Sequence, residues 1–443
     1  MTKTLQRLEK FFLLFLFVNP FLDLISGIYI FFSEKLGLPG FTPSLIVRLA
    51  VLALYALYLL AAKDRFAVVY IALCALCWAL SLIGQCHYFY SFDLKEDFIY
   101  IVKFIYNVTT LLVYYRLIKR RGMSKDEVYK LFGKVFCFTP FMLSSSIVIC
   151  YILGLGYRTY GDRFGYFGSR GFFYSGNDIT AVLMLLLFMA LLFLFTADRK
   201  SISRLRYIYL LSSPALTIVS LLLIGTKTAF IAVGASLAAS GVFALCILIK
   251  KKRAYAILRL VLLIVAVAAV FSLLLFFRGS EVTGSIAASF GHIGEIYQEN
   301  EDLTNTIFSG RQYKFKKAFS MWKEEIYFTL FGTGRGSHAR IIEMDIFEIL
   351  FYYGFFGAVV LLFMYVYTSF RIIKGFFKAP DLNSLFVLGS IGVCAGYFLI
   401  AGHVLFSVTS GFYFSLVLLF ALRYYLKDPL YLYPFESKVK NAA

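Results

Sequence analysis

Residues 207–253 read Tyr207-Ile-Tyr-Leu-Leu-Ser-Ser-Pro-Ala-Leu-Thr-Ile-Val-Ser-Leu-Leu-Leu-Ile224, then Gly225-Thr226-Lys227-Thr228, then Ala229-Phe-Ile-Ala-Val-Gly-Ala-Ser-Leu-Ala-Ala-Ser-Gly-Val-Phe-Ala-Leu-Cys-Ile-Leu-Ile249, and close on Lys250-Lys251-Lys252-Arg253. Each apolar run is about 20 residues long. At 1.5 Å per residue that crosses roughly 30 Å of hydrocarbon. The turn between them is too short for anything but a helical hairpin. The four bases mark the end expected to stay in the cytoplasm.

The rest of the chain extends this reading. Of 443 residues, 60% are hydrophobic, 19% aromatic and 16% charged. Soluble domains are about 45–50% apolar and about 25% charged. A water-soluble enzyme, a disordered chain and a disulfide-stapled chain are excluded. Twelve spans are expected, at about 11–33, 43–62, 66–85, 98–117, 134–156, 176–196, 207–224, 228–249, 257–277, 346–370, 384–403 and 406–425. The chain reads as an all-α polytopic membrane protein, one integral membrane domain over residues 1–443. The first run contains Asn19, Pro20 and Asp23 and no small-residue cleavage site, so it reads as a retained helix. The seven cysteines lie almost wholly in apolar runs, and their odd count excludes a complete disulfide framework. Cys74 and Cys77, spaced C-x-x-C inside such a run, read as small packing residues.

The formal net charge is +19. With the N-terminus placed in the cytoplasm, 28 of the 44 Lys and Arg fall on cytoplasmic segments and 14 on the outer side. The basic excess is then topology and contact with anionic lipid, and nucleic acid is not an expected partner. Both termini are expected in the cytoplasm of a bacterial plasma membrane. Eleven of the 14 outer bases lie in two loops, 157–175 and 278–345. Topology does not need them there, and a loop of nearly 70 residues in a tightly connected bundle is usually functional.

Residues 157–178 set Arg158, Arg163 and Arg170 among five glycines, with Asn177 at the start of a span. Guanidinium forks suit phosphate and carboxylate oxygens. Lys227 stands alone at the outer hairpin turn. In the second loop, Phe315, Phe319 and Trp322 share one helical face and Arg311, Lys314, Lys316 and Lys317 the other. That pattern suits an amphipathic helix lying in the membrane interface, as a brace or as a cover over an anionic lipid site. A glycine-rich turn, Phe331-Gly332-Thr333-Gly334, then leads to Arg335, His338 and Arg340. Glu343, Asp345 and Glu348 follow at the outer start of the next span, with Glu343 and Phe347 on one face if the helix reaches that far. Glu343 and Asp345 are the candidate catalytic carboxylates. Glu348 lies deeper, where an ionisable group is a functional candidate by default. No His/Cys metal-ligand spacing and no outer Asp-x-Asp is present, so neither metal nor cofactor is expected.

At these residues the chain resembles the O-antigen ligase/polymerase superfamily of integral membrane glycosyltransferases. The resemblance rests on Arg170-Gly171-Phe172 with Asn177, Gly225-Thr226-Lys227-Thr228, Gly310-Arg311 with Trp322, and Phe331-Gly332-Thr333-Gly334 with Glu343, Gly354 and Gly357. It departs in having Lys227 where arginine is usual, Glu343 where ligases usually carry histidine, and no proline before Asn177. The exchange at Glu343 favours a repeat-unit polymerase.

The resemblance implies a GT-C-like helical fold with the long outer loop between helices 9 and 10. It implies transfer outside the cell from an undecaprenyl-diphosphate-linked oligosaccharide, with inversion and without metal. Arg163, Arg170, Lys227, Arg311, Arg335 and Arg340 would bind the diphosphate, with Asn177 and His338 as further site residues. Membrane lipid, a chain-length regulator and a flippase are the implied partners. A ligase to another acceptor remains an alternative. So does a lipid-linked oligosaccharide transporter, for which Asp23, Arg48 and Lys103 within spans are the best argument.

Overall fold

The computed structural model describes residues 2–37, 42–160, 167–198, 202–251, 254–300, 311–338, 341–402, 404–426 and 432–433, with backbone alone at 2, 251, 290 and 292–300. The described elements are helices: α1 (Thr2–Leu36), α2 (Pro43–Ala61), α3 (Arg65–Tyr88), α4 (Leu94–Arg120), α5 (Lys125–Leu153), α6 (Gly176–Thr196), α7 (Arg204–Ile224), α8 (Lys227–Lys251), α9 (Tyr255–Arg278), α10 (Ser280–Asn300), α11 (Arg311–Glu324), α12 (Ile326–Phe331), α13 (Asp345–Lys378), α14 (Ser384–Ile400) and α15 (Ser410–Tyr425). Ten are long and apolar enough to cross a membrane, namely α1–α9 and α13. The shorter apolar helices α14 and α15 fall on the last two expected spans.

Local chemistry sets the ends. Ser124 and Glu127 form a reciprocal capping box at the start of α5, and Gly154 (φ 68°) closes it in the left-handed conformation. Asp64 and Ser175 cap α3 and α6. Gly225 (φ 74°) ends α7 and makes the hairpin turn possible. A helix that is apolar all round belongs in the middle of a bundle. So it is here: 94% of the apolar window of α6 is buried, against 11% for α9 at the periphery. Every residue of α15 from Ser410 to Arg423 is also buried.

The span expected at 346–370 is broken. Gly354 in α13 has φ 68° and ψ −173°, which interrupts the helical ladder inside an apolar segment. Freed carbonyls in such a place need donors. Thr333 and Gly334 supply them: their N–H groups donate to Phe351 O (2.9 Å) and Tyr352 O (3.0 Å). The two backbones cross so closely that a Cβ on Gly332 would sit 2.2 Å from Tyr352 O, and one on Gly354 2.3 Å from Leu330 O. These glycines are therefore cross-bracing elements.

Near the other end of the sequence, the 401–409 segment is held from several sides. Asn107 Nδ2 of α4 donates to Leu405 O and Ser407 O, both at 2.9 Å. Thr409 Oγ1 donates to Asp23 of α1 (2.9 Å). Asp23 also takes a two-pronged pair from the buried Arg48 of α2, 2.8 Å to each oxygen, and Arg48 donates further to Asn19 (3.0 Å). This closed network has the geometry of a structural ion pair. Arg48→Ala is expected to cost about 3–5 kcal/mol by stranding the carboxylate. Replacing both partners, Arg48→Met with Asp23→Leu, should cost clearly less. Thermal melting in detergent checks this, and equal losses would assign the cost to packing.

Candidate active site

The amphipathic helix of the long loop is α11, and its aromatic face is seated on protein. Phe315 meets Phe347 (5.0 Å between ring centroids) and Phe351 (5.3 Å), and Trp322 meets Phe351 (5.6 Å) and Phe355 (5.3 Å). The expected interfacial helix is thus a brace against the first turns of α13. Docking turns the basic face of α11 toward the 341–345 turn. Arg311 pairs with Glu343 at 2.9 Å and Lys314 with its other oxygen at 2.7 Å. Arg311 and Lys314 can reach one carboxylate together because they lie three residues apart on one helix.

Glu343 precedes the helix rather than lying on it, so it does not share a helical face with Phe347 as expected. It has φ +66°, uncommon for a residue with a side chain. Its surroundings hold it there. The Glu343 N–H donates to Glu348 Oε1 (2.7 Å), and Tyr100 of α4 donates to the other Glu348 oxygen. Gly402 presses on the Glu343 backbone, where a Cβ would lie 2.6 Å from the carbonyl carbon. The Glu343 side chain remains 23% exposed while Glu348 is 1% exposed. Glu348 therefore positions, and Glu343 is the carboxylate a substrate can reach. Asp345 is fully buried and accepts the N–H groups of Val404 and Leu405, both at 2.8 Å. That geometry makes Asp345, expected from sequence as a catalytic carboxylate, an anchor for the backbone of Val404 and Leu405.

The hairpin turn joins the same end of the bundle. Ser169 N–H donates to Leu223 O (2.8 Å), Gly168 N–H to Ser285 Oγ of α10 (3.0 Å), and Gly225 lies against Ser289. The 157–175 loop, the 225–228 turn and α10 are thereby packed together. Arg311 is within electrostatic range of Lys227 and of the Tyr160 phenol. It also acts on Tyr397, whose hydroxyl donates to Asn177 O (3.1 Å). Arg311 and Lys314 thus hold Glu343, and the charge of Arg311 reaches Lys227, Tyr160 and Tyr397.

The other described candidates have partners of their own, with Arg170 beside Gly176 at the start of α6. Arg170 stacks on Tyr157 (5.3 Å to the ring centroid), whose hydroxyl donates to Glu34 (3.0 Å). Burial lowers the proton affinity of Arg170, and its Nε has no hydrogen-bond partner among the described residues. Arg335 is turned inward, to the carbonyl of His338 and toward Glu96 at 3.9 Å. His338 packs on Tyr352 (4.8 Å) and shares a hydrogen bond with Thr333 Oγ1 (2.8 Å). Both therefore support the crossing at Gly332 and Gly354. Arg163 and Arg340 lie outside the described residues. Lys314, Tyr100 and Tyr397 were not singled out by sequence. Only Lys314 left a signal, its spacing of three from Arg311.

Burial, helped by the positive charges of Arg335 and Lys317, pushes the His338 imidazole down from 6.5 to about 4. A histidine that is harder to protonate when folded favours unfolding as it protonates in the unfolded chain. Its stabilising contribution is full above about pH 6.5 and declines as pH falls toward 4. The acid-induced drop in Tm between pH 7.5 and 5 should therefore shrink in His338→Asn. An unchanged drop would show that His338 takes no part.

A cavity of about 580 Å³ opens between α1, α2, α4 and the 173–179 segment. Its size lies within the roughly 300–1,000 Å³ of small-molecule sites. Asp23, Glu34, Arg48, Glu96, Lys103 and Asp178 line it, together with apolar side chains. Asp23, Arg48 and Lys103 are the span residues that argued for a transporter, while none of the residues nominated for transfer lines it. It adjoins them through Asp178, which is next to Asn177 and electrostatically coupled to Tyr397.

These features define a polytopic membrane protein in which two bases of α11 hold a part-buried carboxylate. Over residues 6–298 the sequence matches the family described as O-antigen ligase like membrane protein, and the chain belongs to that family. It is accordingly a membrane protein of glycan processing. The match takes in Arg170, Asn177 and Lys227 and ends before α11 and Glu343. No curated protein matches the chain.

Proposed function

We propose that this protein is an inverting membrane glycosyltransferase that polymerises undecaprenyl-diphosphate-linked oligosaccharide repeat units into surface polysaccharide. The observation that carries the reading is Glu343, part-exposed and held by Arg311 and Lys314. A sugar hydroxyl of one repeat unit forms the new bond to C1 of the sugar on another. The bond from C1 to the diphosphate oxygen breaks, and the electron pair leaves with undecaprenyl diphosphate. The hydroxyl proton passes to Glu343. One displacement inverts the configuration at C1. Arg311, Lys314 and Lys227 stabilise the charge that develops on the leaving group, at a low-dielectric boundary where fixed charges count most. The 580 Å³ cavity gives room for sugars beside the reacting centre.

The test is elongation by the purified protein in detergent, on the host's undecaprenyl-diphosphate repeat unit without nucleotide sugar. A ladder of products supports the polymerase. Single transfer to a different acceptor would establish a ligase, and no transfer to any acceptor would sink both.

The site is proposed to face away from the cytoplasm, as the basic segments at the other end require. Cys86, at the end of α3, is the one exposed cysteine among the described residues. A membrane-impermeant maleimide should label it in intact spheroplasts, and labelling only after lysis would invert the topology.

A further inference from the structure

We propose that Arg311 and Lys314 together form the binding site for the substrate's diphosphate, and that Glu343 occupies this site as a built-in counter-ion until the diphosphate displaces it. This rests on the transfer reading above and adds the order of events at the same site.

Two cations three residues apart on α11 grip the two oxygens of one carboxylate, at 2.9 and 2.7 Å. The spacing of cations that holds a bidentate carboxylate also fits the oxygens of a phosphate. The pair is partly open: Arg311 is 13% exposed, Lys314 29% and Glu343 23%. An incoming anion can therefore reach it. The backbone of Glu343 is fixed independently by Glu348 and Gly402, so its side chain can swing while the residue stays in place. α11 is likewise fixed by its aromatic face on α13, so its cations remain aimed at the site after Glu343 departs.

The exchange links binding to catalysis. While held by two cations, Glu343 is a poor proton acceptor. Once the diphosphate has taken those cations and added its own negative charge nearby, the carboxylate becomes a stronger base. The base is then active only when a donor is bound, which disfavours idle deprotonation of water or of a lone acceptor.

Inorganic pyrophosphate is the probe, titrated into detergent-purified full-length protein by calorimetry. Glu343→Gln removes the competitor and should bind pyrophosphate about tenfold more tightly than the unmodified protein, within the roughly 5–150-fold range of coupled sites. Lys314→Gln should bind it more weakly. Glu325→Gln, at an exposed carboxylate just beyond the same helix, should leave the affinity unchanged and so separates local competition from overall charge. Glu343→Ala repeats the first measurement should the glutamine variant fold poorly. An affinity that does not rise in either Glu343 variant, or that rises equally in Glu325→Gln, overturns the counter-ion role. Elongation by the same variants is read separately. A Glu343→Gln protein that still elongates would remove the base and leave the pyrophosphate result to stand or fall alone.

Discussion

Glu343→Gln is expected to lower transfer by roughly 10²–10⁴-fold, the usual worth of a general base, with almost no change in melting temperature. The two halves of this expectation have different sources. The amide keeps the shape of the side chain but cannot take the hydroxyl proton. Its salt bridges are partly exposed, and ion pairs of that kind are worth about 0–1 kcal/mol. Asp345 should show the opposite pattern. Its carboxylate is fully buried and holds the Val404 and Leu405 amides. Asp345→Ala leaves two buried donors without their acceptor, at about 1–3 kcal/mol each. It should lower Tm first and activity only through misplacement of the 401–409 segment. Asp345→Asn, whose carbonyl oxygen can still accept, should stay near the unmodified protein in Tm. Transfer rates and melting curves of the three variants check the assignment. A Glu343→Gln protein with full activity would return the catalytic role to Asp345 or to no carboxylate at all.

Gly354→Ala should be severely damaging for a single methyl group. The added carbon would sit 2.3 Å from the backbone of Leu330 at a φ of +68°. Neither neighbour is a flexible side-chain tip. Overpacking costs about 1–3 kcal/mol and forcing a side chain into such a backbone region about 1–3 kcal/mol more. A total near the upper end, about 5 kcal/mol, approaches the stability of a whole domain. Folded yield in detergent should collapse. Gly234→Ala in α8 is the control, since no atom lies within 4 Å of its added carbon. It should be neutral or slightly stabilising, because alanine is favoured over glycine inside a helix. Equal behaviour of the two variants would mean that the 332/354 crossing carries no strain.

Most of the helical framework was legible because apolar length and capping chemistry are local. The Gly225-Thr226-Lys227-Thr228 turn marked the hairpin in plain sequence. The broken span was not legible. Gly354 is one glycine in an apolar run, and its meaning depends on donors from Thr333 and Gly334 about 20 residues earlier. Within the site, sequence pattern pointed to Glu343, Arg311 and Lys227 because bases and carboxylates in loops are conspicuous. The roles of Asp345 and Glu348 were hidden because their partners, Val404, Leu405 and Tyr100, are distant along the chain. The partners of Arg335 and His338, a carbonyl and a hydroxyl beside the glycine turn, were likewise not legible.

The pinning of the 401–409 segment has a consequence for biogenesis. The donors at 333 and 334 and their acceptors at 351 and 352 can pair as soon as α13 leaves the translocon. The turn that presents Glu343 is finished later, when Gly402 packs on it and Asp345 receives the amides of Val404 and Leu405. The contacts that complete this turn thus come from a stretch made only after both Asp345–Lys378 and Ser384–Ile400.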